Sequence, residues 1–153
     1  MGTTFVSITE SASPREIGFW MQDSVLQLWL RLLALHIPEP AADHETSYRI
    51  RNQWLLASHG HFTGCVPHDL HDAVAMPGGR AIVLAAIDSL MSRMEAAPPS
   101  LGAGPLNLLG IEGVFLVDFE TRRLIEVGVA FRALIAGTLT CRIESTEFMP
   151  GSN

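Results

Sequence analysis

Apolar residues recur at helical spacing along most of this chain, and the first such stretch covers residues 14–36. Ser13 is placed to cap a helix there, and Pro14 suits the first helical position. Pro38 and Pro40 would end the helix. The pattern therefore predicts a first helix with one broad apolar face, formed by Ile17, Trp20, Met21, Leu28, Leu32 and Leu35.

Three further stretches have the same helical period. They predict helices over residues 43–58, 80–96 and 120–136. The last shows the clearest repeat, and Gly137 is suited to close it. Gly128 lies on its apolar face, where a residue without a side chain could admit a close neighbour. These helices supply most of the expected core.

The segments between the long helices predict shorter elements. A short helical piece over 68–75 follows Pro67, and the proline- and glycine-rich segment 97–113 predicts an ordered loop with one turn of helix. Near the C-terminus, 138–144 alternates apolar and polar residues as a half-buried strand does. We expect this strand to pair with the β-compatible run 114–118.

These elements predict a mainly α fold: a single-domain helical bundle of four to five helices with one short two-stranded β element near the C-terminus. A length of 153 residues fits one domain with one core. We place the helical domain at residues 13–145. Residues 1–12 are predicted to be an extended or flexible lead-in, and 146–153 a tail.

Charge and cysteine content narrow the functional class. The ten basic residues are all arginine, and sixteen acids give a formal net charge of −6, which disfavours binding to nucleic acid or to an anionic membrane. A basic protein partner fits this charge better. Cys65 and Cys141 are too few for a disulfide framework, and the apolar run 25–37 is too short to span a bilayer. We expect a cytoplasmic protein.

The candidate chemistry is concentrated in a corner between the second and third helical segments. His59, His61, Cys65, His68 and His71 form the pattern H-x-H-x3-C-x2-H-x2-H. Nitrogen and sulfur donors of this kind ligate zinc, so a metal site is one interpretation. However, the spacing matches no standard zinc motif. We favour exposed or packing histidines, with no metal and no cofactor.

Cys65 offers a second interpretation, because it lies just before a candidate helix and near several histidines. An adjacent imidazole and a helix N-terminus both favour the thiolate form. No residue is identified that would orient the histidine or form an oxyanion hole. A small metal- or thiol-dependent enzyme therefore stands as the alternative to a binding protein without catalytic residues.

Residues with partner-binding chemistry surround the same corner. Tryptophan and arginine are common at the centre of protein interfaces, and acids in loops can form a polar rim. We therefore predict a partner-binding patch made of Arg51, Trp54, His59, His61, His68, His71, Asp43 and Glu45.

Four runs of the chain carry a family resemblance: IRNQWLLASHGHFTGCVPHDLHDAV, GRAIVLAAIDSL, LNLLGIEG and ETRRLIEVGVAF. They resemble a family of small uncharacterised proteobacterial proteins over about residues 49–137, and WLLAS-x-G-x-F-x-G is the most specific segment. Such proteins are similar to the immunity proteins that accompany secreted bacterial toxins. The resemblance implies a cytoplasmic immunity or antitoxin-like protein that occludes the active surface of a cognate effector. The net charge of −6 favours a basic effector.

Overall fold

The structure, a computed structural model, describes residues 2–9, 16–37 and 44–140. Within these ranges the chain forms six helices and two antiparallel two-stranded sheets. The mainly helical prediction is confirmed, although six helices are present where four to five were predicted. No helix in the described ranges is long and apolar enough to cross a membrane. The elements in chain order are β1 (Thr3–Ser7), β2 (Gly18–Gln22), α1 (Asp23–His36), α2 (His44–His59), α3 (Leu70–Ala75), α4 (Gly79–Glu95), β3 (Ser100–Leu101), α5 (Ala103–Asn107), β4 (Phe119–Glu120) and α6 (Thr121–Ala136).

Helix α1 lies at the centre of the core and packs against α2 and α4. It is buried around most of its circumference, which explains why its sequence is apolar on nearly every side. The one buried amide, Gln27, donates hydrogen bonds to the carbonyls of Ala57 (3.3 Å) and Gly60 (2.7 Å) and so ties α1 to the end of α2. The helix stops before Ile37, which precedes Pro38 and has an extended backbone.

The prediction of a helix beginning at residue 14 is wrong over residues 16–22, because 18–22 form strand β2 and the helix begins at Asp23. Phe19 and Met21 are fully buried while Trp20 between them is partly exposed, which is the period of two expected of a strand. Strand β1 pairs with β2 and places Val6 opposite Phe19 and Phe5 opposite Trp20. The predicted lead-in thus includes a strand that contributes Val6 to the core. The capping residues proposed at 13 and 14 lie outside the described residues.

Helices α4 and α6 pack against each other, and Gly128 lies at their contact. A Cβ atom at this position would come within 2.0 Å of the Met91 sulfur, so the glycine admits the close neighbour that its sequence position suggested. Gly137 closes α6 in the left-handed conformation with φ of 76°, as predicted. Phe131 of α6 contacts two other core rings, at centroid distances of 5.6 Å to Phe19 and 5.5 Å to Trp29.

The predicted pairing of 114–118 with 138–144 is not found. Instead β4 pairs with β3, with Ser100 opposite Glu120 and Leu101 opposite Phe119. Residues 114–118 form a loop and 138–140 are not in a strand, while 141–144 lie outside the described residues. The run Val-Phe-Leu-Val is apolar throughout and lacks the alternation that would give a strand one buried and one solvated face. The segment 97–113 does contain the expected short helix, α5.

Candidate functional site

The corner between α2 and α3 is held in place by one buried carboxylate. Asp23, at the start of α1, is 6% exposed. It accepts a hydrogen bond from the Thr4 hydroxyl (2.7 Å) and another from the backbone N–H of Gly64 (2.7 Å). The Thr4 hydroxyl in turn accepts one from the backbone N–H of Val66 (2.9 Å). Strand β1, helix α1 and the corner therefore meet at Asp23.

The corner divides the candidate histidines into two sets, and the first faces the loop that follows α5. The Nδ1 of His59 lies 2.8 Å from the Gly110 carbonyl oxygen, and the Nδ1 of His61 lies 2.7 Å from the Glu112 carboxylate. The backbone N–H of Glu112 also reaches the Ser58 carbonyl at 3.4 Å. Since His61 is 83% exposed, its pairing with Glu112 takes place at the surface.

His68 belongs to the second set, on the side of the corner that faces β1. Its Nε2 lies 3.2 Å from the Phe5 carbonyl oxygen, while the backbone N–H of Leu70 donates to its Nδ1 at 3.2 Å. These contacts favour the neutral tautomer protonated on Nε2. Burial lowers the pKa of His68 below 6.5, and this effect exceeds the opposing effects of the Phe5 hydrogen bond, Asp69 and Glu16.

The five proposed metal ligands do not converge on one point. His59 and His61 contact residues 110–112, whereas His68 contacts β1. Nowhere in residues 2–9, 16–37 and 44–140 do three or more histidine, cysteine, aspartate or glutamate side chains form a group that could hold a metal ion. Cys65 is an exposed thiol. The geometry therefore does not favour the metal-dependent interpretation of the corner.

The predicted partner-binding patch is also not one surface. Trp54 is only 1% exposed, which corrects its placement in a surface patch; its indole N–H donates to the His68 carbonyl at 3.0 Å and supports the corner from within. Arg51 is half-buried, and its Nε has no hydrogen-bond partner among the described residues. Glu45 is exposed at the opposite end of α2, about 21 Å from His59 at the helical rise of ~1.5 Å per residue. Asp43 lies outside the described residues.

Between β1, β2 and the second half of the corner lies a cleft of about 570 Å³, here called the aromatic cleft. Phe5 and Trp20 line it, with ring centroids 5.2 Å apart in an edge-to-face arrangement. Its lining also includes Cys65, His68, Asp69 and Asp72. Three residues of the predicted corner, Cys65, His68 and His71, thus lie at this cleft.

A second surface consists of residues 108–118, here called the apolar platform. Four large hydrophobic side chains on it are exposed: Leu108 by 87%, Val114 by 73%, Leu116 by 89% and Val117 by 75%. The sequence predicts that 114–118 is a β-compatible run that pairs with a strand at 138–144, and this prediction misses the surface. The signal was present in the unbroken apolar run, which offers no polar face for solvent.

The apolar platform is held by specific contacts within the chain. The Asn107 side chain accepts a hydrogen bond from the Phe115 N–H (2.8 Å) and donates one to its carbonyl (2.9 Å). The rings of Phe115 and Phe119 pack edge to face at 5.7 Å. At its end, Asp118 accepts from the backbone N–H of Ala103 at 3.0 Å. The exposed side chains are therefore carried on an ordered loop.

Comparison with known proteins identifies no relative. No protein-family model matches the chain, and no curated protein or solved structure is significantly similar to it.

Proposed function

We propose that this chain is an immunity-type protein of the bacterial cytoplasm that binds a cognate effector and occludes its active surface. The observation that carries the proposal is the apolar platform, with four exposed aliphatic side chains in ten consecutive residues. The resemblance of residues 49–137 to immunity-like proteobacterial proteins supplies the class of partner. On this basis we expect no cofactor and no catalytic residues.

The apolar platform is an ordered loop, and this supports a role in docking a partner. Contiguous exposed apolar surface is uncommon on a soluble monomer and is typical of protein-binding sites. Here the loop is held by both hydrogen bonds of the Asn107 side chain and by the Phe115–Phe119 contact. A surface that is already ordered loses less conformational entropy when it binds. The side chains of Leu116 and Val117 are the expected contact centre.

The net charge of the chain favours a basic partner. Between Arg93 and Arg122 the sequence has four acids and no basic residue: Glu95, Glu112, Asp118 and Glu120. All four acids are exposed, although Glu112 pairs with His61 and Glu120 with Arg123, and the Arg31 guanidinium lies beside Gly110 of the platform. The formal net charge of −6 would speed association with a basic partner at low salt.

A protection experiment in the native host tests this function. Deleting the gene should make cells sensitive to their siblings, and the wild-type chain should restore protection. Leu116→Asp should fail to restore it, because a charge replaces an apolar contact at the centre of the surface. Val129→Asp is the matched control, since Val129 is 58% exposed on α6, outside the apolar platform. This control should protect as well as the wild type.

Both variants replace exposed residues, so their free energies of unfolding should stay within about 0.5 kcal/mol of the wild type. A loss of protection in Leu116→Asp at unchanged stability would then report on binding. Survival of the deletion strain beside its siblings, together with the absence of a stable protein partner, would refute the immunity function. Equal loss of protection in both variants would refute the assignment of the apolar platform as the docking surface.

A further inference from the structure

The aromatic cleft combines an aromatic wall with two carboxylates. Phe5 and Trp20 face each other across β1 and β2 on the side of the sheet opposite to Val6 and Phe19. Asp69 and Asp72 line the cleft from the corner and from α3. Among the described residues its lining contains no arginine, and the chain has no lysine. The fixed charges of the described lining are therefore the two carboxylates, which lie beside the imidazoles of His68 and His71.

The walls of the aromatic cleft are held before any ligand arrives. On one side, the Thr4 hydroxyl accepts a hydrogen bond from the Val66 N–H at 2.9 Å. The Nε2–H of His68 donates to the Phe5 carbonyl oxygen at 3.2 Å. Behind the corner, the Trp54 indole N–H donates to the His68 carbonyl at 3.0 Å. A rigid cleft binds with a smaller entropic cost than one that must form around its ligand.

We propose that the aromatic cleft binds a guanidinium group. A guanidinium is planar, stacks on aromatic rings and donates paired hydrogen bonds to carboxylates, so it uses both kinds of wall at once. Its charge is matched by Asp69 and Asp72, and the neutral tautomer of His68 adds no positive charge to oppose it. The Asp69 carboxylate also accepts a hydrogen bond from the Gln53 amide, and the Asp72 carboxylate lies 3.4 Å from the Nδ1 of His71, so the ligand would share these oxygens. Among the described lining residues an anion would instead meet two carboxylates and no arginine or lysine.

The size of the aromatic cleft is compatible with this ligand class. Small-molecule sites usually enclose about 300–1,000 Å³ and have mainly apolar walls with a few placed polar groups. The cleft has about 570 Å³. This space accommodates a guanidinium on a free small molecule or on an arginine of a peptide. The proposal does not depend on the protein-binding function of the apolar platform.

Tryptophan fluorescence gives a direct assay, because Trp20 is partly exposed while Trp29 and Trp54 are 0% and 1% exposed. The probes are N-acetyl-arginine amide and an end-blocked Ala-Arg-Ala peptide, each compared with its citrulline counterpart, which keeps the shape but is uncharged. The arginine probes should change the fluorescence and bind at least about tenfold more tightly than citrulline, which corresponds to ~1.4 kcal/mol. A Trp20→Phe variant should lose the signal.

Cys65 gives a second, independent readout, because it is an exposed thiol in the lining of the aromatic cleft. In a Cys141→Ser background, the arginine probes should slow the reaction of Cys65 with a thiol reagent. Asp72→Asn should weaken this protection, whereas Asp88→Asn, at a surface position on α4 outside the cleft, should leave it unchanged.

The two arginine probes distinguish the source of the ligand. Tighter binding of the peptide indicates an arginine within a polypeptide, and equal binding indicates a free guanidinium compound; both results support the site. Citrulline probes that bind as tightly as the arginine probes would overturn the proposal. So would Asp72→Asn protein that is folded and shows undiminished protection of Cys65.

Discussion

Replacing Asp23 with alanine removes the carboxylate at which β1, α1 and the corner meet. The variant leaves two donors without their acceptor, the Thr4 hydroxyl and the backbone N–H of Gly64, each 2.7 Å from an Asp23 oxygen in the wild type. Because Asp23 is only 6% exposed, water has little access to replace the carboxylate. The variant should therefore be strongly destabilised.

The size of the effect follows from these two contacts. A hydrogen bond to a charged group contributes about 1.5–3 kcal/mol, which gives roughly 3–6 kcal/mol for both. The Thr4 hydroxyl keeps its contact with the Val66 N–H, so part of its bonding capacity remains satisfied. Loss of an acid from the first turn of α1 adds up to about 1 kcal/mol. We expect the free energy of unfolding to fall by about 3–4 kcal/mol.

Urea denaturation followed by circular dichroism measures this loss. Asp88→Ala is the control, because Asp88 pairs with Arg132 at the surface, where the two side chains are 49% and 60% exposed. Exposed pairs of this kind contribute up to about 1 kcal/mol. Hydrogen exchange should also show lost protection at the Gly64 amide of the variant under native conditions. A loss below about 1 kcal/mol, or unchanged exchange at Gly64, would refute the role assigned to Asp23.

Two further predictions concern pH and helix termination. Since burial holds the pKa of His68 below its unfolded value of 6.5, the unfolded chain takes up a proton first, and stability should fall as the pH drops below about 6.5, by at most ~1.4 kcal/mol per pH unit. Urea denaturation from pH 7.5 to 5 should show a weaker dependence in His68→Gln; an identical dependence would contradict this. Gly137→Ala should cost about 1 kcal/mol because Gly137 has φ of 76°, whereas Gly137→Asn should cost less because asparagine adopts the left-handed conformation more readily than alanine. Thermal denaturation of both variants checks the difference, and equal effects would contradict it.

The long helices could be predicted because their buried apolar residues recur at regular helical spacing along the sequence. Helix α6 repeats its apolar residues at helical spacing and ends at a glycine, so local preference and burial point to the same structure. The prediction of the first helix was wrong where local preference and burial did not point to the same structure. The apolar residues Ile17, Phe19 and Met21 fit a strand, but the broader apolar pattern through α1 suggested one continuous helix. Only pairing with β1, which is a tertiary contact, decides between the two.

The candidate site was less predictable than the fold, because it depends on contacts that are distant in sequence. The sequence shows that four histidines and Cys65 lie close together along the chain around the corner between α2 and α3, but not what each of them contacts. The division of the corner into two sets follows from contacts of His59 and His61 with residues 51 positions away, and of His68 with a residue 63 positions away. Spacing within the corner carries no information on these partners. The same spacing therefore suggested a ligand cluster that the fold separates.

The two proposed surfaces share this corner as a common support, which makes their dependence on Asp23 testable together. The apolar platform contacts the corner through Glu112 and His61, and the aromatic cleft is walled by Val66 and His68. Asp23 holds the corner between these contacts. Loosening the corner in Asp23→Ala should therefore weaken both protection of the host and guanidinium binding. By contrast, Leu116→Asp should affect only protection of the host, and Asp72→Asn should affect only guanidinium binding. If the single-surface variants each impair both activities, the two surfaces form one binding site.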